Sequence, residues 1–554
     1  MNEKQREALT TWRVVGIDLA VGEPEALVRE RACRSVGVDP AALRGFRIVK
    51  KARDARRRGG ERRLRFVVHA DLVLDASFRS RALSRALESG AVQKAPAREE
   101  LRTALVHRTL THPRRARIAV VGSGPGGLLA ALVLARHAVD VVLVDRGSSI
   151  ERRSKELVAF HRSRKPNAES NLLFGEGGAG TYSDGKIYTR VDDPLEVPIL
   201  EELVACGAKE DILYDSRAHI GTDRLHRILP VLRAKMADLG VQFAWNTRVE
   251  GLVLAAGPTQ HSSSVRALVT SAGEIPCDAV VFAPGHSARD TWLRFHEQGV
   301  AFEAKPFQLG VRIEHPQEIV NAGQLGTSVE AQSLGAASYQ LVCREGEGAP
   351  AAFSFCMCPG GRIVASVNEP GYLCTNGMSN STHSSPYANA ALVATFGPRE
   401  FGPGPFAGVA FQREIEARFF EVGGADYTAP AQRASDFLAG RESTGKLASS
   451  YVLGLCPARI DELVPPMLRD ALRRALASFD RSIPGFAGES GLLVGIESRS
   501  SGPVRMPRDR ETRRARGFTN LYPVGEGAGY AGGIMSAALD GAHSALALLE
   551  RGLA

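Results

Sequence analysis

The stretch RIAVVGSGPGGLLAALVLARHAVDVVLVD, residues 117–145, decides the fold. RIAVV (117–121) is an apolar run of strand length, LLAALVLARH (128–137) is an apolar helical run, and DVVLVD (140–145) is the next strand. A βαβ unit therefore closes within about 30 residues. The turn between first strand and helix carries Gly122, Gly124 and Gly127 in the spacing GxGxxG. Gly122 permits a tight turn, Gly124 lets the backbone approach a pyrophosphate, and Gly127 lets the helix pack close to the strand. Ser123, Pro125 and Gly126 complete a turn whose helix N-terminus offers free N–H groups and a partial positive charge to phosphates. Asp145, 18 residues after Gly127, stands where a carboxylate accepts hydrogen bonds from an adenosine ribose and repels a 2′-phosphate; Arg146 follows it. A bare tight turn needs none of this surrounding pattern. The stretch predicts a dinucleotide site.

A second glycine-rich strand–turn, LYPVGEGAGYAGGI (521–534), precedes an apolar helix, MSAALDGAHSALALLE (535–550). Gly525, Glu526, Gly527 and Ala528 form its turn, and Gly532, Gly533 and Ile534 lead into the helix. The third spaced glycine of an independent site is missing, because position 530 is Tyr. The turn reads instead as the other end of the first site. That plan resembles flavoproteins of the glutathione-reductase type, in which the last strand–helix turn contacts the ribityl chain, pyrophosphate and flavin ring. The resemblance implies FAD, with NAD(P)H as candidate transient reductant, although no separate nicotinamide site is legible. Two further pieces suit it. DAVVFAPG (278–285) is a buried strand ending in a turn at Ala283, Pro284 and Gly285. FGEGGAGTYSDGK (174–186) is a flexible Gly-rich loop. Its residues Gly178, Ala179, Gly180, Thr181, Ser183, Asp184 and Gly185 can bring backbone N–H groups to the cofactor, and Lys186 can stabilise a reduced, anionic flavin. The plainer reading is a mobile surface loop.

With 554 residues and 59.4 kDa, the chain is too long for one core. An α/β fold with three parts is expected. Residues 1–112 form an α+β unit, with strand-like 12–21, a helix from Pro24 to about Val36, and strands at 45–51 and 64–74, a β-α-β-β order that fits a ferredoxin-like unit. A charged linker at 86–117, with Pro96 and Pro113, leads to a Rossmann-type FAD-binding domain from 113–300 and 495–554, with a substrate or cap domain at 301–494 inserted between its halves. Hydrophobic residues at 44% and charged residues at 24% exclude a disordered chain. Of the net charge of +9, residues 50–65 carry +7, nine Lys/Arg against Asp54 and Glu61. This run reads as a solvated hairpin tip or as a contact for an anionic partner such as nucleic acid. Ile118–Ala135 is 18 residues without a charge, but its glycines break a spanning helix, so no membrane insertion is expected. The first residues show no secretion signal, and the scattered cysteines suit a reducing, cytoplasmic setting. The oligomeric state is not legible.

The chain resembles the family of bacterial FAD-dependent dehydrogenases that carry an N-terminal ferredoxin-like domain. The matching stretches include AVVGSGPGG, FGEGGAGTYSDGK, IGTDRL (220–225), APGHSARDT (283–291), KPFQLGVRIEHPQ (305–317), SFCMCPGG (354–361), NGMSN (376–380), YTAPAQR (427–433) and GEGAGYAGGI, spread over nearly the whole chain. The resemblance implies bound FAD and an oxidoreductase fold, and it names no substrate. Asp145 departs from the usual glutamate, and Glu526 replaces the aspartate common in the wider superfamily.

Catalytic candidates are fewer. Cys356 and Cys358, the one close cysteine pair, read as structural thiols, as a redox dithiol, or with Cys374 and His383 as a metal site whose spacing fits no usual pattern. No metal is expected. His286, beside the APG turn, can donate a proton. Arg312, Glu314 and His315 lie on a strand whose alternate residues can face a flavin. The expected activity is an FAD-dependent dehydrogenase moving hydride or electrons between flavin and a small molecule. A flavin-dependent RNA-modifying enzyme, a monooxygenase and a partner-dependent flavoprotein without turnover stay open.

Overall fold

The computed structural model describes residues 9–58, 61–95, 116–137, 139–189, 191–257, 262–346 and 348–551. The chain divides into two compact units, one of Met1–His107, Asp192–His219 and Gln324–Ala337, the other of Arg108–Val191, Ile220–Gly323 and Ser338–Ala554.

In the first unit, strands Leu9–Ala20, Gly45–Asp54, Arg65–Asp75 and Val92–Lys94 form one antiparallel sheet. In chain order its strands lie second, third, first, fourth. Helices Ala26–Val36 and Arg81–Glu88 complete a βαββαβ sequence of elements. The second helix and fourth strand fall where the linker was expected to begin. Leu83 and Ala86 face the core and Ser80 caps the helix through the Leu83 N–H, so residues 81–94 belong to the unit. The rest of that linker, 96–115, lies outside the described residues. Part of the basic run is engaged locally. Lys51 pairs with Glu25, and Arg56 and Arg65 both hold the buried Asp54.

The second unit contains two main sheets. Five parallel strands lie in the order Leu521–Pro523, Ala279–Phe282, Arg117–Val121, Asp140–Val144, Gln242–Ala244. The Val-rich runs of the three central strands are buried, as parallel strands covered on both faces must be. Helix Pro125–Arg136 is buried for most of its length. It packs against helix Ile534–Arg551 so closely that a Cβ on Gly541 would strike the Gly126 carbonyl. This is a Rossmann-type α/β arrangement built from both ends of the unit.

The other sheet has seven strands, in the order Val342–Cys343, Ala352–Cys358, Tyr387–Phe396, Phe307–Pro316, Leu492–Glu497, Ala429–Arg433, Leu455–Pro457. Its pairs are antiparallel except the last. Strand Leu492–Glu497 crosses the boundary placed at 494 in sequence, because its alternation gives no sign of which sheet it joins.

Candidate active site

Gly122 turns at φ +92°, and a Cβ there would run into the Ala283 carbonyl. A Cβ on Gly127 would strike the Gly122 carbonyl, so the helix starts hard against its strand. Gly124 is extended, and Pro125 opens the helix at a position whose N–H has no partner within the helix. Two other turns converge here. The closest neighbour of a Cβ on Gly124 would be Gly178 Cα, at 3.9 Å, and a Cβ on Gly527 would meet the Gly285 backbone. The fingerprint, the 174–186 loop, the APG turn and the C-terminal turn thus meet in one place.

Asp145 is buried and does not stand free for a ribose. One carboxylate oxygen accepts from Ser123 N at 2.8 Å and Ser123 Oγ at 2.6 Å, the other from Gly147 N at 2.8 Å and Gly175 N at 3.1 Å. Four donors fill a carboxylate's acceptor sites. The residue therefore ties the fingerprint to the loops at 147 and 175. Arg146 pairs with both oxygens of Asp290 at 2.8 Å and with Glu169 at 2.7 Å, its guanidinium 4.5 Å above the Phe174 ring.

The 174–186 loop is fastened rather than flexible. Arg153, enclosed on helix Ile150–Ser163, donates to the carbonyls of Asn171 at 2.7 Å, Gly175 at 3.3 Å, Glu176 at 2.7 Å and Gly178 at 2.9 Å. Burial pushes its pKa down to about 10, so it stays charged at neutral pH. Residues Gly178–Tyr182, including Ala179, Gly180 and Thr181, wind into a 3₁₀ turn; Thr181 Oγ1 and Ser183 Oγ hydrogen-bond within the loop. At the C-terminal turn, Gly525 N–H donates to Asp540 at 2.8 Å, and Asp540 is held in turn by Arg508 and Arg513.

Lys186, Cys356, Cys358 and Glu526 form a common electrostatic environment, although they come from three separate stretches. Lys186 reaches Asp184 at 2.7 Å and donates to the Met357 carbonyl, between the two cysteines. Burial opposes its charge, but Asp184 and the thiols outweigh that and hold its pKa above the usual lysine range. Asp184 also accepts from Ser379, with His383 at 3.7 Å. Arg312, fully buried, pairs with Glu497 at 2.9 Å and donates to Asn389 and to the Cys356 carbonyl at 3.2 Å, with Cys358 Sγ at 3.9 Å. Cys356 is left-handed at φ +43°, and the sheet register breaks between Phe355 and Cys358. Cys358 Sγ–H donates to the Cys356 carbonyl at 3.3 Å; the neighbouring Cys358 thiol, with Lys186 and Arg312, pushes Cys356 down to about 6 against the effect of burial, and Cys358 moves up. Glu526 is pushed up to about 8 by burial, with Lys305 as the opposing cation and Cys356 as a like charge nearby.

His286 belongs to a different cluster. Its ring bonds Ser287 Oγ at 2.9 Å, and burial followed by Arg499 and Arg289 pushes its pKa down to about 4. It is neutral at pH 7, and the same burial and cations oppose its taking up a proton. Beside it the buried Glu416 is gripped by Arg289 at 3.0 Å and by Arg499 at 2.7 Å. Cys374 sits with this network through Ser498 at 3.5 Å, away from the cysteine pair's cations. Of the other strand residues, Glu314 accepts from Ser450 N at 2.9 Å, and His315 bonds the Phe486 carbonyl at 2.8 Å.

Residues 115–164 match the family described as "FAD binding domain", and residues 306–500 match "FAD-dependent protein, C-terminal domain-like". A protein of Clostridium beijerinckii (strain ATCC 51743 / NCIMB 8052), described as an uncharacterized protein, is 36% identical over 542 residues, 97% of this chain and 98% of its own. The chain belongs to this family of FAD-dependent proteins. Among solved structures, CtdE in complex with FAD is 12% identical at a TM-score of 0.30, over 79% of this chain and 86% of its own. Glycine oxidase from Geobacillus kaustophilus is also 12% identical at 0.30, over 79% and 95%. At such scores these likenesses carry no argument.

The flavoprotein's residues fit FAD. Cβ atoms on Gly285 and Gly532 would meet nothing within 4 Å, which leaves the turns open beside the helix N-terminus at Gly124. Glu526 Oε1 is buried and has no hydrogen-bond partner among the described residues. The chain is an FAD-dependent protein, and among its described residues no helix is long and apolar enough to cross a membrane. Arg153, Glu497, Glu416 and Arg499 were not visible as site residues in the sequence. The partners of Glu497, Glu416 and Arg499 lie far off in the chain, those of Arg153 lie in the next loop, and a lone Arg or Glu carries no local signature.

Proposed function

We propose that this protein is an FAD-dependent oxidoreductase, a dehydrogenase of glutathione-reductase-type architecture, acting on a small molecule held where Lys186, Cys356 and Glu526 converge. The seven-stranded sheet would be the substrate side, inserted between the two halves of the FAD-binding part. The βαββαβ order and antiparallel sheet of the first unit support a ferredoxin-like domain. The observation that carries the reading is the Lys186 bond to the Met357 carbonyl, which brings the Gly-rich loop to the cysteine-bearing strand, with Glu526 near enough to Cys356 for their charges to interact.

Bound FAD supplies two-electron chemistry. Lys186 offers a fixed positive charge where negative charge develops in a water-poor setting. Glu526 holds a proton on its carboxyl at neutral pH and is placed to give it up. Arg153 and Asp145 keep the loops that carry this chemistry in place.

Anaerobic titration of the purified protein with NADH and then NADPH, followed by the visible flavin band, tests the reading. A band that persists through both additions and bleaches with an oxidisable small molecule is the expected result for a dehydrogenase. Rapid bleaching by either nucleotide would move the protein to a nicotinamide-linked reductase or monooxygenase. No flavin band at all would overturn the assignment.

A further inference from the structure

Cys356 and Cys358 stand two residues apart on a strand, which in regular geometry sends both side chains to the same face. The left-handed Cys356 and the register break before Cys358 depart from that geometry, and Cys358 Sγ turns back to donate to the Cys356 carbonyl at 3.3 Å. Cys356 is half-buried, whereas Cys358 is fully buried. Two cations address the short segment, Lys186 at the Met357 carbonyl and Arg312 at the Cys356 carbonyl and the Cys358 sulfur. One cysteine is partly exposed and flanked by positive charge, and the other is buried. An ordinary pair of structural thiols needs neither the bent backbone nor the cations.

We propose that Cys356–Cys358 is a thiol–disulfide exchange site that takes an external disulfide, with Cys356 as the attacking thiolate and Cys358 as the resolving thiol. The Cys356 thiolate attacks one sulfur of RS–SR, the S–S bond breaks, and RS⁻ leaves. Cys358 then attacks Cys356 Sγ in the mixed disulfide, and the second RS group departs carrying the Cys358 proton as RSH. The protein dithiol is oxidised by two electrons, and the external disulfide is reduced to two thiols. The exchange does not depend on the FAD reading, because every atom in it belongs to the protein or to the added disulfide.

The charged and titratable groups facing the pair are Lys186 and Asp184 from the Gly-rich loop, with His383 behind Asp184. Arg312 and Glu497 face it from the sheet, Tyr339 lies near Cys358, and Glu526, with Lys305 beside it, lies near Cys356. A low-pKa thiol is largely ionised but intrinsically less nucleophilic, so at neutral pH the two effects nearly cancel. The advantage opens in mild acid. At about pH 5.5, Cys356 should react with iodoacetamide about tenfold faster than the partly exposed Cys343 and Cys456.

The experiment treats reduced holoprotein with iodoacetamide across pH, and separately with oxidised glutathione, reading each cysteine by peptide mass spectrometry. Wild type is expected to lose two hydrogens across the 356–358 peptide and to keep no glutathione there. Cys358→Ser is expected to trap one glutathione on Cys356, and Lys186→Met is expected to shift the alkylation profile toward higher pH. A Cys356 that reacts no faster than Cys343 in mild acid overturns the proposal, as does a wild-type peptide that retains glutathione. Both decisive readouts use the unmutated protein, so poor folding of a variant leaves them intact.

Discussion

Lys186 Nζ bonds the carbonyl of Met357 while its ammonium lies 2.7 Å from the buried carboxylate of Asp184. A single cation therefore joins the Gly-rich loop to the cysteine-bearing strand. Lys186→Met should cost about 3–5 kcal/mol, because Asp184 would be left buried without its counter-ion. Pairing it with Asp184→Asn should recover part of that loss, which urea unfolding of both single variants and the double variant would measure. A loss in the double variant equal to the sum of the two single losses would mean that the pair is not coupled.

Arg153 makes the loop rigid through four carbonyl oxygens. Arg153→Met should cost at least about 2 kcal/mol, since the carbonyls lose a charged donor in a dry site. Flavin content should fall with it. Full flavin occupancy and an unchanged melting temperature would show that the loop holds itself.

Gly124→Val puts a branched side chain at the mouth of the fingerprint, and Asp145→Ala leaves the Ser123, Gly147 and Gly175 N–H groups without their acceptor. Both should lower the ratio of flavin to protein absorbance after purification. Asp145→Ala should also lower stability by roughly 1–3 kcal/mol, the penalty for buried unpaired donors. If both variants retain full flavin, the cofactor is not held at this turn.

Glu416 sits between Arg289 and Arg499, and its pKa lies far below the ordinary 4.5 because the two cations outweigh burial. Its folded pKa is depressed, so its stabilisation is fully present above about pH 4.5 and is lost as pH falls through the folded value. Glu416→Gln should cost about 3–5 kcal/mol at neutral pH by leaving two buried guanidiniums short of charge. The gap between variant and wild type should close in acid, and a gap constant with pH would contradict this.

Glu526 has the opposite sign. Burial raises its folded pKa from 4.5 to about 8, so the folded chain holds a proton that the unfolded chain releases. This favours the unfolded state progressively as pH rises between those values. Glu526→Gln should therefore gain on wild type between pH 4.5 and 8 in melting temperature of the flavin-free protein. Parallel curves would mean that the carboxyl ionises normally.

The nucleotide half of the site was legible because its signals are local. The GxGxxG turn, the strand before it and the helix after it are all set by neighbours in the chain, and they appear as strand Arg117–Val121 and helix Pro125–Arg136. The first unit was half legible. Its final helix and strand, Arg81–Glu88 and Val92–Lys94, are short and charge-rich, so they passed for linker. The chemistry around the cysteines was named but not understood. The Cys356 environment depends on Arg312, 44 positions earlier, and on Lys186, 171 positions from Met357, which no periodicity reveals. Asp145 was found by position but misread in role, because its four donors come from three turns that only the fold brings together.

The parallel sheet takes its edge strand, Leu521–Pro523, from near the end of the chain, and helix Ile534–Arg551 braces the fingerprint helix glycine to glycine. On the ribosome, then, the GxGxxG turn emerges hundreds of residues before the strand and helix that complete its cradle. Capture of the nucleotide is a late event in the life of each molecule, and a chain cut at 520 would carry the whole fingerprint without the C-terminal turn that joins it at the site.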